Sequence, residues 1–220
     1  MIYTNDIEYD NNVTNENPFP NKIETDNLIL RGPVHENWSL GDFHRFQTDN
    51  CGEEMAEYNL FVKPPTLAYT KNKMYNYMIE SWKNMEDMYY VIEEKKDRED
   101  YNHDYIGLIG FDCEWDLKSG EIGIWLHKET WGNKYFAEAT ESIFEVVFNH
   151  DIDYGIELIS VVPSSNNKNS IKATKKFMNK LNGQFEGVLR NYFLFDGIGI
   201  QNCHRFSIKK RDFNKRKHVN

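Results

Sequence analysis

Two hydrophobic periods divide most of the 220-residue chain into elements. Leu28, Ile29 and Leu30 predict a short strand closed by Gly32-Pro33. A helical region follows from Glu36 to about Asp49. After the Pro64-Pro65 break, Met74, Met78, Trp82 and Met85 recur near helical spacing and predict a helix over about Thr70 to Met88, with the stripe turned to a core. Strands are expected at 88–94 and 105–115, separated by a charged loop, and a third at 121–127 after a Lys118-Ser119-Gly120 turn, giving an antiparallel meander. Phe136, Ala139, Ile143, Val146 and Val147 place an apolar stripe on a helix from about Lys134 to Asn149. A strand at 155–163 and a helix marked by Ile171, Thr174, Met178 and Leu181 come next. The chain ends in two strands, 185–195 and 203–209, flanking a hairpin turn at Asp196-Gly197, and no internal repeat is visible.

Charge and composition sharpen the ends of this picture. The first twenty residues hold five Asn and four acidic residues with no Lys or Arg, so 1–21 reads as a flexible acidic tail. Residues 209–220 carry six Lys/Arg against one Asp, which leaves −14 of the overall −9 on the rest of the chain. One domain over 22–208 with a basic tail at 209–220 is therefore expected. An acidic body makes nucleic acid an unfavourable partner and tolerates a cationic one. Apolar runs are too short to span a bilayer, the N-terminus has no signal-peptide pattern, and Cys51, Cys113 and Cys203 form no CxxC pair. These features point to reducing cytoplasm, with no membrane association and no metal site.

Four stretches carry a resemblance: ETDNLILRGP, GEIGIWLHKETWG, NNKNS and FEGVLRNYFLFDG. In their order and spacing the chain, over about 22–208, resembles the GNAT superfamily of acetyl-CoA-dependent N-acetyltransferases, in its RimJ/RimL-like, ribosomal-protein-type branch. The resemblance implies a mixed α/β (α+β) fold with a central sheet of about six or seven strands and helices on both faces. It leaves monomer and homodimer both open.

It also assigns roles. The stretch Trp131, Gly132, Asn133, Lys134, Tyr135, Phe136 matches the family's pyrophosphate-binding turn, where helix N-terminal amides and the helix dipole receive phosphate. Lys134 stands at the family's glycine and Phe136 at its Gly/Ala position; the lysine adds a cation, but its Cβ restricts the backbone. In 121–127, Glu121, Gly123, Trp125 and His127 share one face, and Ile122, Ile124 and Leu126 the other. By resemblance, the acetyl-pantetheine arm lies beside the end of this strand, with backbone N–H groups at Trp125 or Leu126 placed to stabilise a developing oxyanion.

An attacking amine must be neutral, so a base is useful. Glu121 matches a carboxylate of the branch and is the candidate, although a solvated charge after a turn fits equally; His127 is a lesser candidate. Asn167 and Ser170 match the family's N-x-x-S, with Asn167 near the cofactor and Ser170 as acid for the departing thiolate; both also fit helix capping. Glu186, Gly187, Leu189 and Arg190 match the branch's EGxLR, and Phe193 occupies a position where some relatives carry a glutamate base. Trp38, Phe43 and Tyr58 fit either an acceptor pocket or the core. The expected function is acetyl transfer from acetyl-CoA to an amine, either a protein N-terminus or a small amine, by direct attack in a ternary complex. The alternative is a GNAT-like binding module that no longer catalyses.

Overall fold

The period-two alternation in the central strands sorts their side chains onto two differently covered faces of one sheet. The computed structural model describes residues 19–33, 38–49, 64–95, 105–149, 154–195 and 199–215. The strands are β1 (Lys22–Glu24), β2 (Leu28–Arg31), β3 (Asp87–Glu94), β4 (Gly107–Glu114), β5 (Ser119–Leu126), β6 (Leu158–Val161), β7 (Gln184–Phe195) and β8 (Gly199–Lys209). They form one sheet in the order β1-β2-β3-β4-β5-β6-β8-β7. Every pairing is antiparallel except β5 with β6. A parallel pair requires a crossover, and the helix α4, introduced below, supplies it.

The helices are α1 (Leu40–Asp49), α2 (Leu67–Tyr69), α3 (Asn76–Lys83), α4 (Tyr135–Asn149), α5 (Lys168–Lys180) and α6 (Lys210–Lys215). A π-helical turn, Thr70–Tyr75, joins α2 to α3. On one face, Met88, Tyr90 and Ile92 of β3, Ile109 and Phe111 of β4 and Ile122 of β5 pack with Ile143 and Val147 of α4 and Phe177 of α5. On the other, Val91 and Leu108 pack with Phe43 and Phe46 of α1 and Met78 and Ile79 of α3, joined by Tyr89 and Trp125. Helices therefore cover both faces, as expected. Trp38 and Phe43 are buried in this second core, while Tyr58 lies outside the described residues.

Three sequence expectations shift. The sheet has eight strands, because Lys22–Glu24 pairs separately with β2. The turn before β5 is a 3-10 turn, Trp115–Leu117, with Lys118 at φ 51°, so Ser119 and Gly120 already belong to the strand. Gly120 serves close packing there: a Cβ would sit 2.3 Å from the Phe111 ring. The packed region also extends beyond 22–208 at both ends. Phe19 is buried against Trp82 and Tyr154, and the Pro20 carbonyl accepts the Tyr90 hydroxyl. Phe213 of α6 is fully buried against Phe144 and Phe148, at ring separations of 5.7 and 5.5 Å. Single apolar side chains in polar stretches thus anchor segments whose charge pattern reads as tail.

Candidate active site

The β5–β6 ladder runs from Ser119↔Leu158 only to Ile122↔Val161, whereas β4 pairs with all eight residues of β5. Gly123 to Leu126 consequently have no strand partner on the β6 side among the described residues. This opening in the sheet leaves backbone polar groups able to bind a ligand. Gly123 shares the β5 face of Glu121 and Trp125, and nothing lies within 4 Å of where its Cβ would be. Space therefore exists on that face between the two side chains.

A short connection carries the chain from this strand into α4. His127 caps the 3-10 turn Lys128–Thr130, its Nδ1 accepting from the Glu129 amide at 3.3 Å, which makes capping its observed role. The Trp131 indole N–H donates to the Leu126 carbonyl at 3.0 Å, tying the turn to the end of β5. Gly132 and Lys134 both have positive φ, 87° and 68°. Lys134 thus adopts the left-handed conformation that glycine supplies elsewhere, and its carbonyl accepts from the amides of Ala137 and Glu138 to start α4. The amides of Gly132, Asn133, Lys134 and Phe136 donate to no group among the described residues. The Lys134 side chain is exposed and forms no ion pair with a described residue.

The neighbouring side chains hold this turn in place. The Tyr135 hydroxyl donates to Glu94, and its ring is buried. The Phe136 ring meets Phe177 edge-on at 5.7 Å, packing α4 on α5. The side chains of Tyr135 and Phe136, expected beside the cofactor, therefore pack with the core. Glu138 accepts from Thr25 Oγ1 at 2.5 Å and from the Asn27 amide at 2.7 Å, fastening α4 to the β1–β2 turn. Burial raises its carboxyl, but these hydrogen bonds outweigh burial and hold it below the usual carboxylate range.

On β5, Glu121 stands opposite Asp112 of β4 and Ser160 of β6. Its Oε2 accepts the Tyr192 hydroxyl at 2.6 Å. Burial pushes the Glu121 carboxyl above the usual carboxylate range; the Tyr192 hydrogen bond and the Arg205 charge oppose this, and the Asp112 charge adds to it. Tyr192 is pushed up to about 12 by burial and by its bond to Glu121, so it remains an O–H donor at neutral pH. Glu121 is thus a half-buried carboxylate with a hydrogen-bond donor fixed on one of its oxygens.

At the start of α5, the Asn167 side chain accepts from the Ser170 amide at 2.8 Å, the geometry of a helix N-cap. Its observed role is therefore capping. The Ser170 hydroxyl is half-buried and makes no hydrogen bond among the described residues. In β7, Gly187 has φ 141° and sits at a register shift, which explains its glycine. Glu186 accepts from Ser207, and Arg190 makes no ion pair among the described residues, so the EGxLR stretch does not form an internal ion pair. Tyr192 and Arg205 are the site residues that sequence reading missed. Period-two counting fails there because the β7–β8 register jumps between Leu189 and Phe193.

A sheet opened after one parallel pairing, beside a turn whose amides donate to no described group, is the frame of an acyltransferase of mixed α+β fold. The chain belongs to the acetyltransferase (GNAT) domain family, which it matches over residues 27–177. Solved structures share the fold. The ribosomal-protein-S5-alanine acetyltransferase from Vibrio fischeri is 16% identical, with TM-score 0.64 over 87% of this chain and 98% of that one. The spermidine N-acetyltransferase from Vibrio cholerae in complex with CoA and spermine is 17% identical, with TM-score 0.61 over 85% and 98%. The microcin C7 self-immunity acetyltransferase MccE, in complex with acetyl-CoA and AMP, is 16% identical, with TM-score 0.65 over 88% and 98%. A search of curated protein sequences finds no match.

Proposed function

We propose that the chain transfers an acetyl group from acetyl-CoA to a primary amine, with Glu121 as the base. The observation that carries this reading is the place of Glu121: its carboxyl, raised by burial, lies one residue before the β5–β6 ladder ends and the strand edge opens. The residues present fit coenzyme A. The amides of Gly132, Asn133, Lys134 and Phe136 and the start of α4 suit a pyrophosphate, and the exposed Lys134 ammonium adds charge. The open edge at Trp125 and Leu126 suits the pantetheine arm and offers amides for an oxyanion. When bound, acetyl-CoA supplies a thioester acetyl group open to direct attack by a neutral amine.

Glu121 takes the proton that a protonated amine must lose, and its raised affinity for protons favours that step. Ser170, with its hydroxyl uncommitted, donates a proton to the departing thiolate. The acceptor is a protein N-terminus or a small amine. The ribosomal-protein-type branch, carried by the order of the four motifs, favours the first; the acidic body and the spermidine-acetylating fold relatives favour the second. Work in the cytoplasm fits the unpaired Cys113 and Cys203 and the lack, among the described residues, of a helix long and apolar enough to cross a membrane. Turnover of acetyl-CoA across a panel of N-terminal peptides, polyamines and monoamines tests the reading. Acetylation of at least one amine is expected, and consumption with none of them contradicts it.

Lys134 gives a separate prediction. A non-glycine residue in the left-handed region costs about 1 kcal/mol, so Lys134→Gly is expected to raise the melting temperature by roughly 2–4 °C. The same variant keeps acetyl-CoA binding, because the amides remain, whereas Lys134→Glu weakens it by about tenfold. Equal affinity in the Gly and Glu variants would remove the lysine charge from the cofactor site.

A further inference from the structure

Across β3, β4 and β5, one sheet face carries Asp87, Asp112 and Glu121 at matching register positions. The first two are engaged near their own strands: Asp87 accepts from the Cys113 amide and the Tyr77 hydroxyl, and Asp112 from the Tyr89 hydroxyl. Glu121 differs, since its donor comes from β7, two strands beyond its neighbour β6 in the sheet order.

What brings Tyr192 there is a break in the β7–β8 ladder. Pairing jumps from Leu189↔Cys203 to Phe193↔Gln201, so three residues of β7 oppose Asn202 alone. Asn191 sits at φ 51° in the middle of this bulge, and its amide donates to Asn202 Oδ1 at 2.9 Å. Bulges re-aim side chains. In a regular strand Tyr192 would follow the alternation set by Val188 and Arg190; here its hydroxyl reaches Glu121 Oε2, while Glu121 Oε1 accepts nothing among the described residues.

We propose that Tyr192 is the positioning residue of the Glu121 base: its hydroxyl holds one carboxylate oxygen and leaves the other as the proton acceptor. This rests on the acetyl-transfer reading above but concerns a residue to which the family resemblance assigns no role. The groups acting on Glu121 are Tyr192 from β7, Arg205 from β8 and Asp112 from β4, and Cys203 of β8 lies close enough to feel its charge. Arg205 also donates to Ser160 at 3.3 Å, which leaves Tyr192 as the one group hydrogen-bonded to Glu121 among the described residues.

The sign of the effect follows from the donor. A hydrogen bond to the ionised carboxylate favours the charged form, so removing it must raise the pH at which Glu121 protonates. In Tyr192→Phe the ring is kept and only the donor is lost; Arg205 still attracts and Asp112 still repels. Carbon-13 NMR of the side-chain carboxyl in the full chain, assigned with Glu121→Gln, reads the titration directly. The Tyr192→Phe protein is expected to show the Glu121 midpoint raised by about one pH unit. The acidic limb of kcat/KM moves upward with it, kcat falls by about tenfold because the carboxylate is no longer held in place, and KM for acetyl-CoA stays the same. An unchanged Glu121 midpoint in Tyr192→Phe, with the fold intact by circular dichroism, overturns the proposal. Failure of the acetyl-transfer reading appears elsewhere, as absent acetyl-CoA turnover in the wild-type protein, so the two failures are read from different signals.

Discussion

Glu121→Gln is expected to lower kcat by at least about 100-fold while leaving the affinity for acetyl-CoA unchanged. The substitution keeps the shape of the side chain and an oxygen that can accept the Tyr192 hydroxyl, so local packing has little reason to move. What it removes is the capacity to take a proton. The parts proposed to face the cofactor, the amides of 132–134 and the open edge of Gly123 to Leu126, are built by other residues, which is why affinity and turnover are expected to separate. The pH profile gives a second readout. Because burial raises the Glu121 carboxyl, the wild-type acidic limb falls above the ordinary carboxylate range, and activity is lost as pH drops through it. In the Gln variant that limb vanishes. An unchanged kcat would return Glu121 to the role of a charge that merely shapes the strand.

The second large effect lies far from the chemistry. Phe213→Ala is expected to destabilise the fold by about 3–5 kcal/mol, because a fully buried aromatic side chain is removed from between Phe144 and Phe148. For a chain of this size that corresponds to a fall of roughly 10 °C in melting temperature. Thermal and urea denaturation measure it. A loss under about 1 kcal/mol would mean that residues 210–215 contribute as little as a solvated tail. The expected cost also forecasts that ending the chain at residue 208 removes part of the core along with the charge. At the start of α6, Lys210 N–H donates to the Glu157 carbonyl at 3.0 Å, so backbone pairing carries the chain past β8 as well.

Much of the central architecture is legible in the alternation of β5. Ile122, Ile124 and Leu126 do face one core, and Glu121, Gly123 and Trp125 lie on the opposite face, because a strand paired along its whole length with β4 keeps a strict period of two. The same rule misreads β7, where two register shifts break the period and carry Tyr192 to Glu121. Lone anchors are equally hard to see. Phe19 and Phe213 stand in polar, charged surroundings, and one apolar side chain makes no periodic signal, although each is buried.

The proposed cofactor turn shows a subtler limit. Lys134 replaces the glycine that its φ of 68° favours, and residue type alone suggests that the turn changes shape. Here the turn keeps its left-handed residue, and the left-handed conformation of Lys134 stays within reach of an L-residue at modest cost. Phe136 departs from the small-residue pattern for a different reason, since its ring fills the space between α4 and α5 against Phe177. Neither departure removes the backbone amides from the turn.

That persistence makes the turn the center of the functional account, and calorimetric titration of the full chain with acetyl-CoA and with CoA tests it most directly. The account predicts saturable binding of both ligands at a single site, weakened in Lys134→Glu and kept in Glu121→Gln. No detectable binding of either ligand at about millimolar concentration would contradict it, and would favour a GNAT-fold module that binds a partner without catalysis.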